Sequence, residues 1–74
     1  MKYTVKQYFN GIHWDESYTD SKAEAERWKV YMEDDSQSIW DRVNWDALEW
    51  FVKDYKIASA DVANIKITVE IVEE

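Results

Sequence analysis

Asn10-Gly11 separates two stretches that alternate polar and apolar residues, Lys2 to Phe9 and Ile12 to Tyr18. A two-residue hairpin turn needs positive φ at both central positions, and asparagine followed by glycine meets that need at little steric cost. The dipeptide therefore predicts a hairpin, and a turn this short fixes the register. It sets Phe9 opposite Ile12, Gln7 opposite Trp14, Val5 opposite Glu16 and Tyr3 opposite Tyr18 on one, largely aromatic face. Tyr8 with His13, Lys6 with Asp15 and Thr4 with Ser17 fall on the other face, where Lys6 and Asp15 attract.

A hairpin alone is marginal in water, so the remaining chain must supply a further strand and a cover. Ser21 and Glu24 have the spacing of a capping box, which predicts a helix from there to about Asp34. At the helical period Ala25, Trp28, Tyr31 and Met32 turn toward the sheet, and Lys22, Glu26 and Lys29 toward solvent. Asp35 to Ser38 reads as a connection, with Ser36 or Ser38 able to cap a second helix over Ile39 to Tyr55 or Lys56. That helix carries a broad apolar arc of Ile39, Trp40, Val43, Ala47, Trp50, Phe51 and Tyr55, with Trp45 and Val52 on the opposite side; Asn44 offers a restart and hence a kink. After the polar Ser59-Ala60-Asp61, the run Asn64 to Val72 turns Ile65, Ile67, Val69 and Ile71 one way and Lys66, Thr68 and Glu70 the other, the pattern of a strand. The expected fold is α+β in the order ββααβ. It is a three-stranded, mainly antiparallel sheet with the last strand beside the first and both helices on one face.

A chain of 74 residues holds one core and is expected to form a single domain over 1–74. Twelve aromatics (5 Trp, 5 Tyr, 2 Phe) are its main source of burial. Without cysteine it has neither a disulfide framework nor a thiolate metal site. Met1 to Gly11 lacks the continuous apolar stretch of a secretory signal, and no run is long enough to span a membrane. The expected compartment is the cytoplasm, the host's if the chain is phage-encoded.

Formal charge is −7, and residues 33–54 alone, with seven acidic and two basic side chains, contribute −5. Such a chain repels nucleic acid and anionic lipid, so the expected partner is another protein with a basic surface, with no direct nucleic-acid or membrane contact. Catalytic machinery is missing. There is no cysteine, and the single histidine, His13, reads as a surface strand residue beside Tyr8. Asp34 with Asp35, or Asp46 with Glu49, lack the spacing of a calcium loop and read as a solvated acidic face. One glycine cannot make a phosphate loop. The chain is thus read as a non-enzyme with no cofactor and no metal.

Trp45 is the residue that core packing explains least well. On a regular helix it lies about 140° from Trp40, among Asp41, Asp46, Glu49 and Val52. An aromatic ring among carboxylates suits a partner's arginine or lysine, unless the helix lies between two layers or kinks at Asn44 and buries the ring. The candidate partner-binding residues are Trp45, Asp41, Asp46 and Glu49, together with Asp34 and Asp35. Carboxylates three or four residues apart on a helix approach the spacing of phosphates, and Asp41, Asp46, Glu49 and Asp54, interrupted by Lys53, roughly follow such a row, which suggests a nucleic-acid mimic. In size, acidity and lack of catalytic residues the chain resembles small phage-encoded antagonists of host defence nucleases, such as anti-CRISPR proteins. That resemblance implies an inhibitor that blocks a basic, nucleic-acid-binding site. The alternative is a scaffold module that forms a homodimer through an exposed strand edge or through the Trp45–Val52 side.

Overall fold

Asn10 and Gly11 take φ angles of 53° and 81° and fold β1 (Tyr3–Phe9) against β2 (Ile12–Thr19) in a computed structural model that describes residues 1–74. Asn10 also seats the third strand. Its amide donates to the Lys66 carbonyl at 2.8 Å and its side-chain oxygen accepts from the Lys66 amide at 2.9 Å, just before β3 (Ile67–Glu73). The sheet has the order β2-β1-β3 with both pairings antiparallel, so the strand that the alternation of Ile65 to Ile71 predicts lies beside the first, the preferred of its two possible edges.

The predicted hairpin register holds for two pairs only, Phe9 with Ile12 and Tyr8 with His13. Beyond them Gln7 faces Asp15, Lys6 faces Glu16, Val5 faces Ser17, Thr4 faces Tyr18 and Tyr3 faces Thr19, which makes Trp14 the extra residue of a β-bulge. The cause lies outside the hairpin. Trp14 donates its indole N–H to the Ala47 carbonyl at 2.7 Å and sets its ring edge-on to Phe51, with centroids 5.0 Å apart. The slip turns Tyr18 onto the open face, where it is exposed and donates to Glu16 at 2.6 Å. The aromatic face expected of the hairpin is therefore half polar: Asp15, Ser17 and Thr19 take the β2 positions on the helix side.

α1 (Lys22–Glu33) begins at Ser21, whose hydroxyl accepts from the Glu24 amide at 3.2 Å. Glu24 reaches back to the Thr19 hydroxyl at 2.7 Å, which locks the helix start onto the end of β2. Ala25 is buried and Trp28 and Met32 pack beside it, but Tyr31 is half exposed. Lys29, expected in solvent, instead donates to the Val69 carbonyl at 2.9 Å and pairs with Glu33 at 3.1 Å, while Glu33 accepts from the Val69 amide at 2.9 Å.

The single second helix expected over Ile39 to Tyr55 is two helices. α2 (Ile39–Arg42) stops at Val43, which is extended (φ −128°, ψ 165°) and buried, and α3 (Trp45–Asp54) restarts from Asn44, whose side chain accepts from the Asp46 amide at 2.9 Å. α3 ends with Lys56 at φ 52° and the Ile57 amide bonded to the Val52 carbonyl at 3.0 Å, a left-handed cap that usually takes glycine. The polar segment expected to be a connection is a 3₁₀ helix (Ser59–Asn64) that buries Val62.

These elements enclose two groups of buried side chains. Tyr3, Val5, Ala25 and Val69 lie under α1, and Phe9, Ile39, Val43, Leu48, Phe51, Val62, Ile65 and Ile67 lie at the hairpin-turn end, with Met32 touching both. No helix is long and apolar enough to cross a membrane.

Both sheet edges carry partners from within the chain. The bonds from Asn10 to Lys66 and from Glu74 to Lys2 fix the even-numbered β1–β3 pairs as the bonded ones, so Val69 points its amide and carbonyl outward, where Glu33 and Lys29 meet them. On β2 the outward amide of Glu16 donates to Asp15 Oδ1 at 2.9 Å. Strand addition by a second copy would have to displace these contacts.

Candidate partner-binding face

Three of the five tryptophans are not committed to the core. Trp45 and Trp50 are 62% and 61% exposed and Trp40 is 37% exposed. The break at Val43 and Asn44 decides how they sit. A continuous helix would separate Trp40 and Trp45 by about 140°, whereas here their rings meet edge-to-face with centroids 6.5 Å apart, and the Trp45 indole donates to the Trp40 carbonyl. The expectation of opposite faces is thus corrected, and the second layer that would have buried Trp45 is not present. Trp45 is held at the surface by a hydrogen bond and a ring contact.

Along α3 the buried Leu48 and Phe51 mark the inner side. Glu49, four residues after Trp45, and Asp46, four residues before Trp50, are exposed on the outer side. Lys53 places its ammonium 5.5 Å from the Trp50 ring centre, an internal example of the cation–π contact that these rings can offer a partner. Of the six residues expected to bind a partner, Trp45, Asp46 and Glu49 share this outer face. Asp41 is exposed on α2, so the helix break removes it from the row of carboxylates on α3. The apolar arc expected of this segment includes Trp40 and Trp50, yet the i, i+4 spacing of Asp46 and Trp50 is a signal that Trp50 shares the acidic side.

Asp34 and Asp35 lie in the connection between α1 and α2. Asp34 ends α1 and accepts from the Ser36 amide at 3.1 Å and its hydroxyl at 2.6 Å. These two bonds from Ser36 hold its carboxyl below the usual aspartate range, with the positive charge of Arg42 adding to the effect. Asp34 is thus a turn residue, whereas Asp35 is exposed and shares the lining of a cleft with Trp40.

The open face of the sheet is the other uncovered surface. His13 packs its ring on Tyr8, with centroids 5.4 Å apart, and lies 3.1 Å from Glu16, the surface strand position expected of it. Tyr8 donates to Glu70 at 3.1 Å. Both Tyr8 and Tyr18 have their phenols pushed above the ordinary tyrosine value, because each hydroxyl proton is held by a carboxylate, Glu70 for Tyr8 and Glu16 for Tyr18. These polar side chains satisfy one another. No three His, Asp or Glu side chains converge to hold a metal ion. No protein-family model, curated protein or solved structure matches the chain.

Proposed function

We propose that this protein is a binding module that docks onto a basic surface of another protein through the outer face of α3 and the adjoining Trp40. The observation that carries the reading is the exposure of Trp45 and Trp50 beside the exposed carboxylates Asp46 and Glu49. Leaving over half of a tryptophan in water forfeits roughly 2–3 kcal/mol of burial at about 25 cal/mol per Å². A 74-residue chain has little such stabilisation to spare, and it holds Trp45 in place while doing so. Tryptophan anchors with charged neighbours are what a partner rich in arginine or lysine recognises.

Occupation of a basic site on a nucleic-acid-handling protein is the sharper form of this proposal. It fits the charge of −7 and the general likeness to small phage-encoded inhibitors. With Asp41 on a separate helix, it rests on Trp45, Asp46 and Glu49 rather than on an unbroken row of carboxylates. A homodimer built by strand addition is the weaker alternative, since Val69 and Glu16 already have partners at the two edges.

The test is affinity capture from the cell that encodes the chain, run in parallel with the unaltered protein, Trp45→Ala and the double variant Asp46→Lys, Glu49→Lys. The expected result is a partner that both variants lose and that salt releases steeply between about 0.05 and 0.5 M. Salt-insensitive capture that survives both changes removes this face from consideration, and sedimentation of the pure protein as a dimer at micromolar concentration would transfer the case to self-association.

A further inference from the structure

Arg42 is 7% exposed, one of two arginines in a chain with sixteen acidic residues, yet no carboxylate lies within 4.0 Å of it. The only contacts within 4.0 Å between basic and acidic side chains are His13 with Glu16 and Lys29 with Glu33. Arg42 Nη1 donates to the Met32 carbonyl at 2.7 Å, which ties α2 to the last turn of α1, while Nε is buried with no acceptor. Arginine keeps its charge when buried, and Asp34 feels that charge without making contact within 4.0 Å, so the guanidinium has no directly bonded counter-charge. One backbone carbonyl satisfies one of five donors.

The same guanidinium lines a cleft of about 530 Å³ between the α1–α2 connection and the 3₁₀ helix, a volume within the range of small-molecule sites. Ile39, Val62 and Ile65, all buried, form an apolar wall. Ser38, Asn64 and Lys66 add donors, and the Lys66 side chain makes no hydrogen bond or ion pair of its own.

We propose that this cleft binds a singly charged organic carboxylate, with its oxygens on the Arg42 guanidinium and its apolar part against Ile39 and Ile65. A planar carboxylate matches the guanidinium fork, and the apolar wall calls for a ligand with a hydrocarbon portion. The selectivity for one negative charge comes from Glu33 and Asp35, which also line the cleft and repel a dianion such as phosphate. The cleft borders the partner-binding face at Trp40 but takes its charge from Arg42, which lies outside that face, so changes at Arg42 and Ala63 test it apart from α3. A free short-chain acid and the C-terminal carboxylate of a peptide both present this chemistry.

Arg27 and Arg42 give two Nε–H signals in a ¹⁵N-labelled sample, which makes the test direct. The chain is titrated at constant ionic strength with isovalerate, with a tripeptide ending in a free leucine carboxylate, with the C-terminal amide of that peptide, with phosphate and with chloride. The Arg42 signal is expected to move to saturation with isovalerate or the peptide acid while Arg27 stays still, and whichever acid binds more tightly identifies the source. Phosphate is expected to bind at least about tenfold more weakly, and the peptide amide and chloride to give no saturable shift. Arg42→Lys, checked for folding by its unfolding transition, should weaken carboxylate binding by at least about tenfold. Ala63→Trp, at an exposed position on the cleft rim, should abolish binding with Arg42 intact, and it decides the matter if the lysine variant does not fold. No movement of the Arg42 signal with either acid, an equal response to amide, chloride or phosphate, or binding unchanged in Ala63→Trp would overturn the proposal.

Discussion

Under α1 the sheet is covered by few apolar groups and several polar clamps, whereas at the hairpin-turn end it is covered by many apolar groups and few clamps. α1 contributes one fully buried residue, Ala25, and is fastened by Lys29 and Glu33 to the backbone of Val69 and by Glu24 to Thr19. The other end places Phe9, Leu48 and Phe51 out of water and stacks rings edge-on, Phe51 with Phe9 at 5.2 Å and with Trp14 at 5.0 Å. A regular helix meets a twisted sheet along one stripe, and α1 has little apolar surface on its stripe. Three short helical pieces can each turn toward the same centre, so a broken chain encloses more apolar volume than one straight helix would.

The widest separation between the two ends should come from truncating a side chain in each. Phe51→Ala removes a ring that touches Phe9, Trp14 and Tyr55, and the expected loss is about 3–5 kcal/mol by urea unfolding. Trp28→Ala, on a half-buried side chain under α1, should cost clearly less. Equal losses would mean that the two ends contribute alike to stability and would dissolve the contrast.

A second measurement asks whether the clamps matter where apolar contacts are few. Glu33→Ala leaves the buried Val69 without a partner for its outward amide and takes the carboxylate from Lys29, with an expected cost of about 1–3 kcal/mol. Amide exchange locates the effect: protection at Val69 should fall further than protection at Leu48. A uniform fall across both residues would show that the clamp acts on global stability alone.

The parts of the fold written in local signals were legible before any coordinates. Asn10-Gly11, the Ser21 cap and the alternation of Ile65 to Ile71 each determine an element from residues close in sequence, whereas the hairpin edge that the last strand joins is not fixed by any of them. The bulge at Trp14 was not legible, since the alternation continues through it and the reason for it, the Ala47 carbonyl, lies 33 residues away. The clamp on Val69 escaped for the same reason, because a lysine on the outer side of a helical wheel gives no sign of a strand edge within reach. At the partner-binding face, Trp45, Asp46 and Glu49 were read together correctly as neighbours on one side. Asp41 was misplaced because the periodicity was carried across a residue that is not helical.

That break permits the narrowest test of how the two ends differ. Asn44 accepts from the Asp46 amide as the cap of α3, and Asn44→Ala should cost about 1 kcal/mol, the usual value for losing such a cap. Alanine favours helix, so a break held by the cap alone would heal, and α2 and α3 would merge. Healing would require Val43 to leave its extended conformation and its place in the core, which the apolar packing of the hairpin-turn end opposes. The expected outcome is therefore lower stability with unchanged helix content by circular dichroism and an unchanged near-ultraviolet signal from the Trp40–Trp45 pair. A rise in helix content with loss of that signal would show that Asn44, and not the burial of Val43, keeps the two tryptophans together.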